Sequence, residues 1–101
     1  MTTRLKVIIH APTPAALVRG QSNLKNLLQL QPDAEIELVI NGPAMADALA
    51  ISDAAIKSRL RLCQNSLQAQ GLTAPADMQP VRAAIVHLSE RQQQGWSYIR
   101  A

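Results

Sequence analysis

Glu35-Ile36-Glu37-Leu38-Val39-Ile40-Asn41 decides how the rest of the chain is read. It opens with polar and apolar residues in alternation and passes into an unbroken apolar run. That is the pattern of a strand partly covered on both faces, as in a parallel sheet flanked by helices. Gly42-Pro43 closes it. Working backwards, Pro32-Asp33 separates it from a segment in which Leu17, Gln21, Leu24 and Leu28 recur at helical spacing, with Val18 and Leu27 widening the apolar stripe. Thr13-Pro14 supplies an N-cap and a proline at the first helical position, so a helix is predicted over 14–30. Before it, Leu5-Lys6-Val7-Ile8-Ile9-His10 is a β-branched run that reads as the first strand.

Working forwards, Ala44 to Ala50 and Ala54 to Ser58 are alanine-rich and helical, interrupted at Ser52-Asp53, which can cap the second piece. Arg59 to Gln64 is predicted as the third strand. A short helix follows, with Asn65 or Ser66 placed to cap it and Gly71 to end it. After the turn-rich Thr73-Ala74-Pro75-Ala76-Asp77, the run Val81-Arg82-Ala83-Ala84-Ile85-Val86 is predicted as strand four. Ser89 to Gln94 reads as a short helix with Gly95 past its end, and Trp96 to Arg100 as a last short strand. Strands alternating with helices predict an α/β domain over 1–101: a mostly parallel sheet with helices on both faces.

At 101 residues the chain makes one domain, near the size at which a core holds a fold unaided, so help from a partner subunit is expected. Apolar residues are 48% and charged residues 17%, which excludes a disordered or linker-like chain. There is no Phe, one Trp and one Tyr, so base-stacking platforms are nearly absent, and the ten Lys and Arg form no basic run. No nucleic-acid partner is expected. Val7-Ile8-Ile9 is too short for a signal-peptide core or a membrane span, so no membrane association is expected. One cysteine makes no internal disulfide, and two distant histidines give no zinc spacing, so neither a metal nor a cofactor is predicted. A reducing, cytoplasmic setting fits best. Gly20, Gly42, Gly71 and Gly95 lie too far apart for a dinucleotide fingerprint or a phosphate loop.

In parallel sheets, ligands bind beyond the carboxyl ends of the strands. On this reading the strands end in His10, Asn41, Cys63-Gln64-Asn65 and His87, which become the candidate rim: Cys63 as nucleophile, and His10, Asn41, Gln64, Asn65 and His87 as ligand-binding residues. Cys63 stands where a strand hands over to a helix, and free N–H groups at a helix start favour thiolate over thiol. Each residue also has a plain structural account. Asn suits turns, a histidine can cap a strand in water, and a lone cysteine is a small core hydrophobe. No serine, histidine and acid set stands out, and Asp33, Asp53 and Asp77 fall in turns or caps, so hydrolytic and paired-carboxylate chemistry have no support.

Charge along the strands adds a further expectation. Arg4 and Lys6 on strand one and Glu35 and Glu37 on strand two suit direct neighbours, while Arg59 and Arg61 alternate through strand three. This end of the sheet is expected to border a subunit interface or to face solvent.

Leu62-Cys63-Gln64-Asn65-Ser66-Leu67, with Gly71 behind it, resembles the DsrE/DsrF-like sulfur-relay family. Lys6-Val7-Ile8-Ile9-His10, Leu38-Val39-Ile40-Asn41-Gly42-Pro43-Ala44 and Gly95-Trp96-Ser97-Tyr98-Ile99-Arg100 agree with it in order and spacing, so the resemblance spans nearly the whole chain. The Cys-Gln-Asn-Ser-Leu pattern is closer to the short, single-protein branch than to relay subunits of mixed complexes. The resemblance implies a three-layer α/β/α fold of flavodoxin-like type with a five-stranded parallel sheet, assembled as homotrimers, hexamers or mixed hexamers. It also implies that Cys63 carries sulfane sulfur as a persulfide between donor and acceptor proteins. His10, Asn41 and His87 match no family motif. The competing expectation, from another class, is an oligomeric module that binds a small ligand or a protein at the rim, with Cys63 as packing only.

Overall fold

The computed structural model describes residues 4–101. In chain order the elements are β1 (Lys6–Ala11), α1 (Pro14–Leu30), β2 (Glu35–Ile40), a 3-10 turn (Gly42–Ala44), α2 (Met45–Leu49), α3 (Ala54–Lys57), β3 (Leu60–Cys63), α4 (Gln64–Ala69), β4 (Gln79–Val81), α5 (Ala84–Gln93) and β5 (Ser97–Arg100). The strands form one sheet in the order β4-β3-β2-β1-β5, and every neighbouring pair is parallel. This is the expected three-layer α/β/α architecture.

The strand order fixes the layers. From β1 to β4 the chain steps one strand at a time in one direction, so right-handed crossovers place α1 to α4 on one face. From β4 to β5 it returns past three strands, which puts α5 alone on the other face. The contacts agree. Gly20 of α1 lies over Leu38 and Ile9, while His87 and Arg91 of α5 reach Glu37. Parallel register, with Ile8 beside Glu37 and Val39 beside Arg61, therefore sorts the side chains. Val7, Ile9, Ile36, Leu38, Ile40, Leu60 and Leu62 face α1 to α4 and are buried. Ile8, His10, Glu37, Val39, Arg61, Cys63 and Tyr98 face the α5 layer.

Thr13 caps α1 by accepting a hydrogen bond from Ala16 N–H (3.1 Å), and Pro14 opens the helix. Asp53 caps α3 through Ala55 and Ile56 N–H. Gly20 lets α1 sit close on the sheet: a Cβ there would stand 3.0 Å from Leu38 Cδ1. Gly42 turns the chain out of β2 at φ +61°, a conformation that side-chain-bearing residues avoid.

Strand four departs from expectation. β4 stops at Val81, and Ala84 to Val86, predicted as its second half, open α5, which runs to Gln93 rather than starting at Ser89. β3 is Leu60–Cys63, so Gln64 is the first residue of α4 and Cys63 its cap. The strand charges also take a different place. Arg4 and Glu35 pair across β1 and β2 as neighbours should, at 3.6 Å, but Glu37 is only 3% exposed and lies beneath α5. Arg91 grips its carboxylate with two nitrogens, Nε to Oε1 (2.9 Å) and Nη2 to Oε2 (2.8 Å). Arg61 Nε adds a contact at 3.2 Å and His87 Nε2 one at 2.7 Å. A single ten-residue helix has little apolar area with which to hold a whole sheet face, and α5 is fastened by this buried ionic cluster as well as by Ala84 and Leu88.

Candidate functional site

Cys63 ends β3 and caps α4, with extended backbone at φ −66°, ψ 115°. It is 5% exposed. Val81 sits beside it in register, and the chain from Val81 folds back so that Ala84 N–H, the first of α5, donates to Cys63 Sγ at 3.3 Å. The sulfur thus lies between the starts of two helices. Burial pushes the thiol pKa up, but the N–H groups of Ala84, Ser66 and Asn65 and the Ser66 hydroxyl outweigh it and bring the pKa below its ordinary value. Of these only Ala84 closes a full hydrogen bond. The α4 groups act from slightly longer range, since Cys63 makes no side-chain cap bond to its own helix. Ser66 Oγ accepts from Gly42 N–H (2.9 Å), which leaves its own proton for the sulfur.

Next along the rim, His10 Nε2 is 2.9 Å from Asn41 Oδ1, and His10 Nδ1 is 2.7 Å from the Tyr98 hydroxyl. A carbonyl oxygen only accepts, so in the neutral ring Nε2 carries the proton and Nδ1 accepts from Tyr98. The three side chains come from the ends of β1 and β2 and from β5, and Tyr98 is 41% exposed. Their link to Cys63 runs through the backbone. Ile40 pairs with Leu62, so Asn41 and Cys63 leave the sheet side by side, and Ser66 bridges the Asn41-Gly42 turn to the sulfur side.

The predicted rim therefore assembles in part. His10, Asn41 and Cys63 gather at the carboxyl ends of β1, β2 and β3. Gln64 and Asn65 occupy the first turn of α4, half-buried and exposed respectively. His87 does not belong there: it lies in the first turns of α5 and reaches back under the helix to Glu37, because the segment read as a strand is helical. The Glu37 carboxyl is pushed up by burial but pulled down further by the hydrogen bonds from Arg91 and His87 and by the charge of Arg61, to about 2.

Sequence reading missed Tyr98, Ser66 and Ala84. Tyr98 sits in a correctly predicted strand, and only the pairing of β5 with β1 brings it to His10. Among the described residues no group of three or more His, Cys, Asp or Glu is placed to hold a metal, and no helix is long and apolar enough to cross a membrane.

No family model matches the chain, and no curated protein matches it. Among solved structures it is similar to a protein of unknown function, MTH1491 from Methanobacterium thermoautotrophicum, at a TM-score of 0.63 and 21% identity over 96% of this chain and 99% of that one. At that identity the likeness shows a shared fold: a five-stranded, all-parallel α/β domain.

Proposed function

We propose that the protein is a cytoplasmic sulfane-sulfur carrier of DsrE-like type, with Cys63 as the carrying residue. One observation carries the reading: N–H groups from the starts of α4 and α5 converge on Cys63 Sγ and favour its thiolate. The thiolate attacks the sulfane sulfur of a donor, such as a polysulfide, thiosulfate or a protein persulfide. A new S–S bond forms on Cys63 while the donor's own bond to that sulfur breaks, and the donor leaves with the electron pair as a shortened polysulfide, as sulfite or as a thiolate respectively. The transferred atom keeps its oxidation level, so no external oxidant is needed. An acceptor thiolate then takes the outer sulfur and returns Cys63 to thiolate. The same N–H groups solvate the persulfide anion in place of water.

Incubation with polysulfide, thiosulfate or a loaded sulfurtransferase is expected to add one sulfur mass to the wild type and none to Cys63→Ser. Ser66→Ala, which removes one donor to the sulfur, is expected to raise the midpoint pH of Cys63 alkylation and to slow loading at neutral pH. Absence of the adduct with every donor overturns the reading.

A second reading is favoured by the small exposure of Cys63. In it the thiol is packing, and the His10, Asn41 and Tyr98 rim binds a small ligand or protein. A native Cys63 inert to alkylation across the pH range would select it.

We also propose a homotrimer or hexamer. The support is the small size of the domain and the exposed apolar residues of the α5 layer, Ile85 at 72% and Val86 at 46%. A monomeric mass by light scattering at micromolar concentration would remove this.

A further inference from the structure

A cavity of about 300 Å3 opens between β4 and α5, at the small end of the range for ligand sites. Pro80 and Val81 form one wall and Arg82 stands at the strand-to-helix corner. Helical spacing orders the other wall: Val86 and His87 come first, and Glu90 follows one turn further along. Cys63 is not part of this lining.

His87 is the residue that gives the cavity chemistry. Its Nε2 is 2.7 Å from Glu37 Oε1, and Glu37 is held as a carboxylate by two nitrogens of Arg91 and one of Arg61. A carboxylate only accepts, so the proton between the two groups sits on Nε2, and the free lone pair of the neutral ring is on Nδ1. Nδ1 has no partner among the described residues, yet no buried side-chain nitrogen or oxygen there lacks one. Nδ1 is therefore open to solvent, and His87 is one of the residues that line this cavity. A buried carboxylate that orients an imidazole, whose second nitrogen is unpartnered and accessible beside a cavity, is the arrangement of a general base. A histidine that served only to clamp α5 would need Nε2 alone.

The charges around it select the ligand. Arg82 offers a cation for a carboxylate. Glu90, at the other end, repels a second negative charge, so a further acidic group enters in its protonated form.

We propose that this cavity binds a small organic acid bearing a second, weakly acidic O–H or S–H group, with the carboxylate on Arg82 and the acidic hydrogen on His87 Nδ1. His87 then accepts that proton: the O–H or S–H bond breaks, its electron pair stays on the oxygen or sulfur as an anion beside the ring, the N–H bond forms, and the resulting imidazolium is paired with Glu37. The proposal stands apart from the sulfur-carrier reading.

Nuclear magnetic resonance of the ring nitrogens of His87 tests it, with 3-mercaptopropionate as the probe. In the free protein, with the ring neutral, the proton is expected on Nε2. The probe is expected to shift the Nδ1 resonance saturably. Propionate, which lacks the S–H, and 2-mercaptoethanol, which lacks the carboxylate, are each expected to bind about tenfold more weakly, the loss of one good polar contact. Arg82→Ala, a change outside the core, is expected to weaken the probe by a similar factor. Cys63→Ser is expected to leave binding unchanged, which separates this outcome from any failure of sulfur loading. A proton on Nδ1 in the free protein, a probe that leaves the ring resonances unmoved, or equal affinity for wild type and Arg82→Ala would overturn the proposal.

Discussion

Glu37→Ala is expected to destabilise the fold by about 3–5 kcal/mol in urea unfolding at neutral pH, because it leaves the Arg61 and Arg91 guanidinium groups under α5 without their counter-charge. For a domain of this size that is a large share of a total of roughly 5–15 kcal/mol. The same cluster sets the response to acid. The Glu37 carboxyl titrates at about 2 in the folded protein against an ordinary 4.5. A carboxyl whose pKa is lowered by folding stabilises the folded state at pH values above its unfolded pKa, and that stabilisation disappears as pH falls through the folded one. The contribution is about 3 kcal/mol, complete above pH 4.5 and lost on the way down to about 2. The stability gap between wild type and Glu37→Gln is therefore expected to narrow steadily across that interval. A gap independent of pH would contradict the ionic account of how α5 is held.

Leu38→Ala is expected to cost about 2–5 kcal/mol, since the side chain is fully buried at the centre of the sheet and its loss leaves a cavity under α1. Gly20 makes this prediction sharper. In the wild type a Cβ at position 20 would press on Leu38 Cδ1 at 3.0 Å, so Gly20→Ala is expected to gain little or to lose stability. Once Leu38 is shortened, the same Cβ fills part of the vacated space, and the helix gains the roughly 0.5–1 kcal/mol by which alanine is preferred to glycine in its interior. Gly20→Ala is thus expected to stabilise the Leu38→Ala protein, with a coupling of about 1 kcal/mol in a double-mutant cycle. Additive effects would mean that the two residues do not share the contact.

The sequence and the structure agree wherever apolar residues mark the buried side. β1, α1 and β2 have their predicted places because Val7, Ile9, Leu17, Leu24, Leu38 and Ile40 are both the periodic residues and the core. α5 breaks that correspondence. Its inward positions include His87 and Arg91, drawn to Glu37, while Ile85 faces outward and Val86 stands at the cavity between α5 and β4. A helix that turns His87 and Arg91 to the sheet beside Ala84 and Leu88 and leaves the β-branched Ile85 exposed reads as a strand, and no local signal corrects it. Ala83 adds no polar side-chain cap.

The site follows the same logic. Cys63 at a strand-to-helix junction and the neighbouring ends at His10 and Asn41 are visible in the sequence, because they depend only on where β1, β2 and β3 stop. What surrounds Cys63 depends on α5. The Ala84 N–H at its sulfur and the placement of His87 against Glu37 both require 84–86 to be helical, which the β-branched pair Ile85-Val86 does not signal. Tyr98 at His10 required the pairing of β5 with β1, a long-range choice that the short Ser97–Arg100 segment does not advertise.

That last pairing has a consequence for the order of assembly. His10 and Tyr98 are 88 residues apart, and β1 is closed on one side by β2 but on the other only by β5. As the chain emerges from the ribosome, β1 to β4 can pair in succession, each with the strand just made. The outer edge of β1, carrying Val7-Ile8-Ile9, stays open until β5 has been synthesised. An unpaired apolar edge is a template for strands of other molecules. β5 is therefore a closing clasp as well as a strand, and the interval before it docks is when a nascent chain is most exposed to its neighbours.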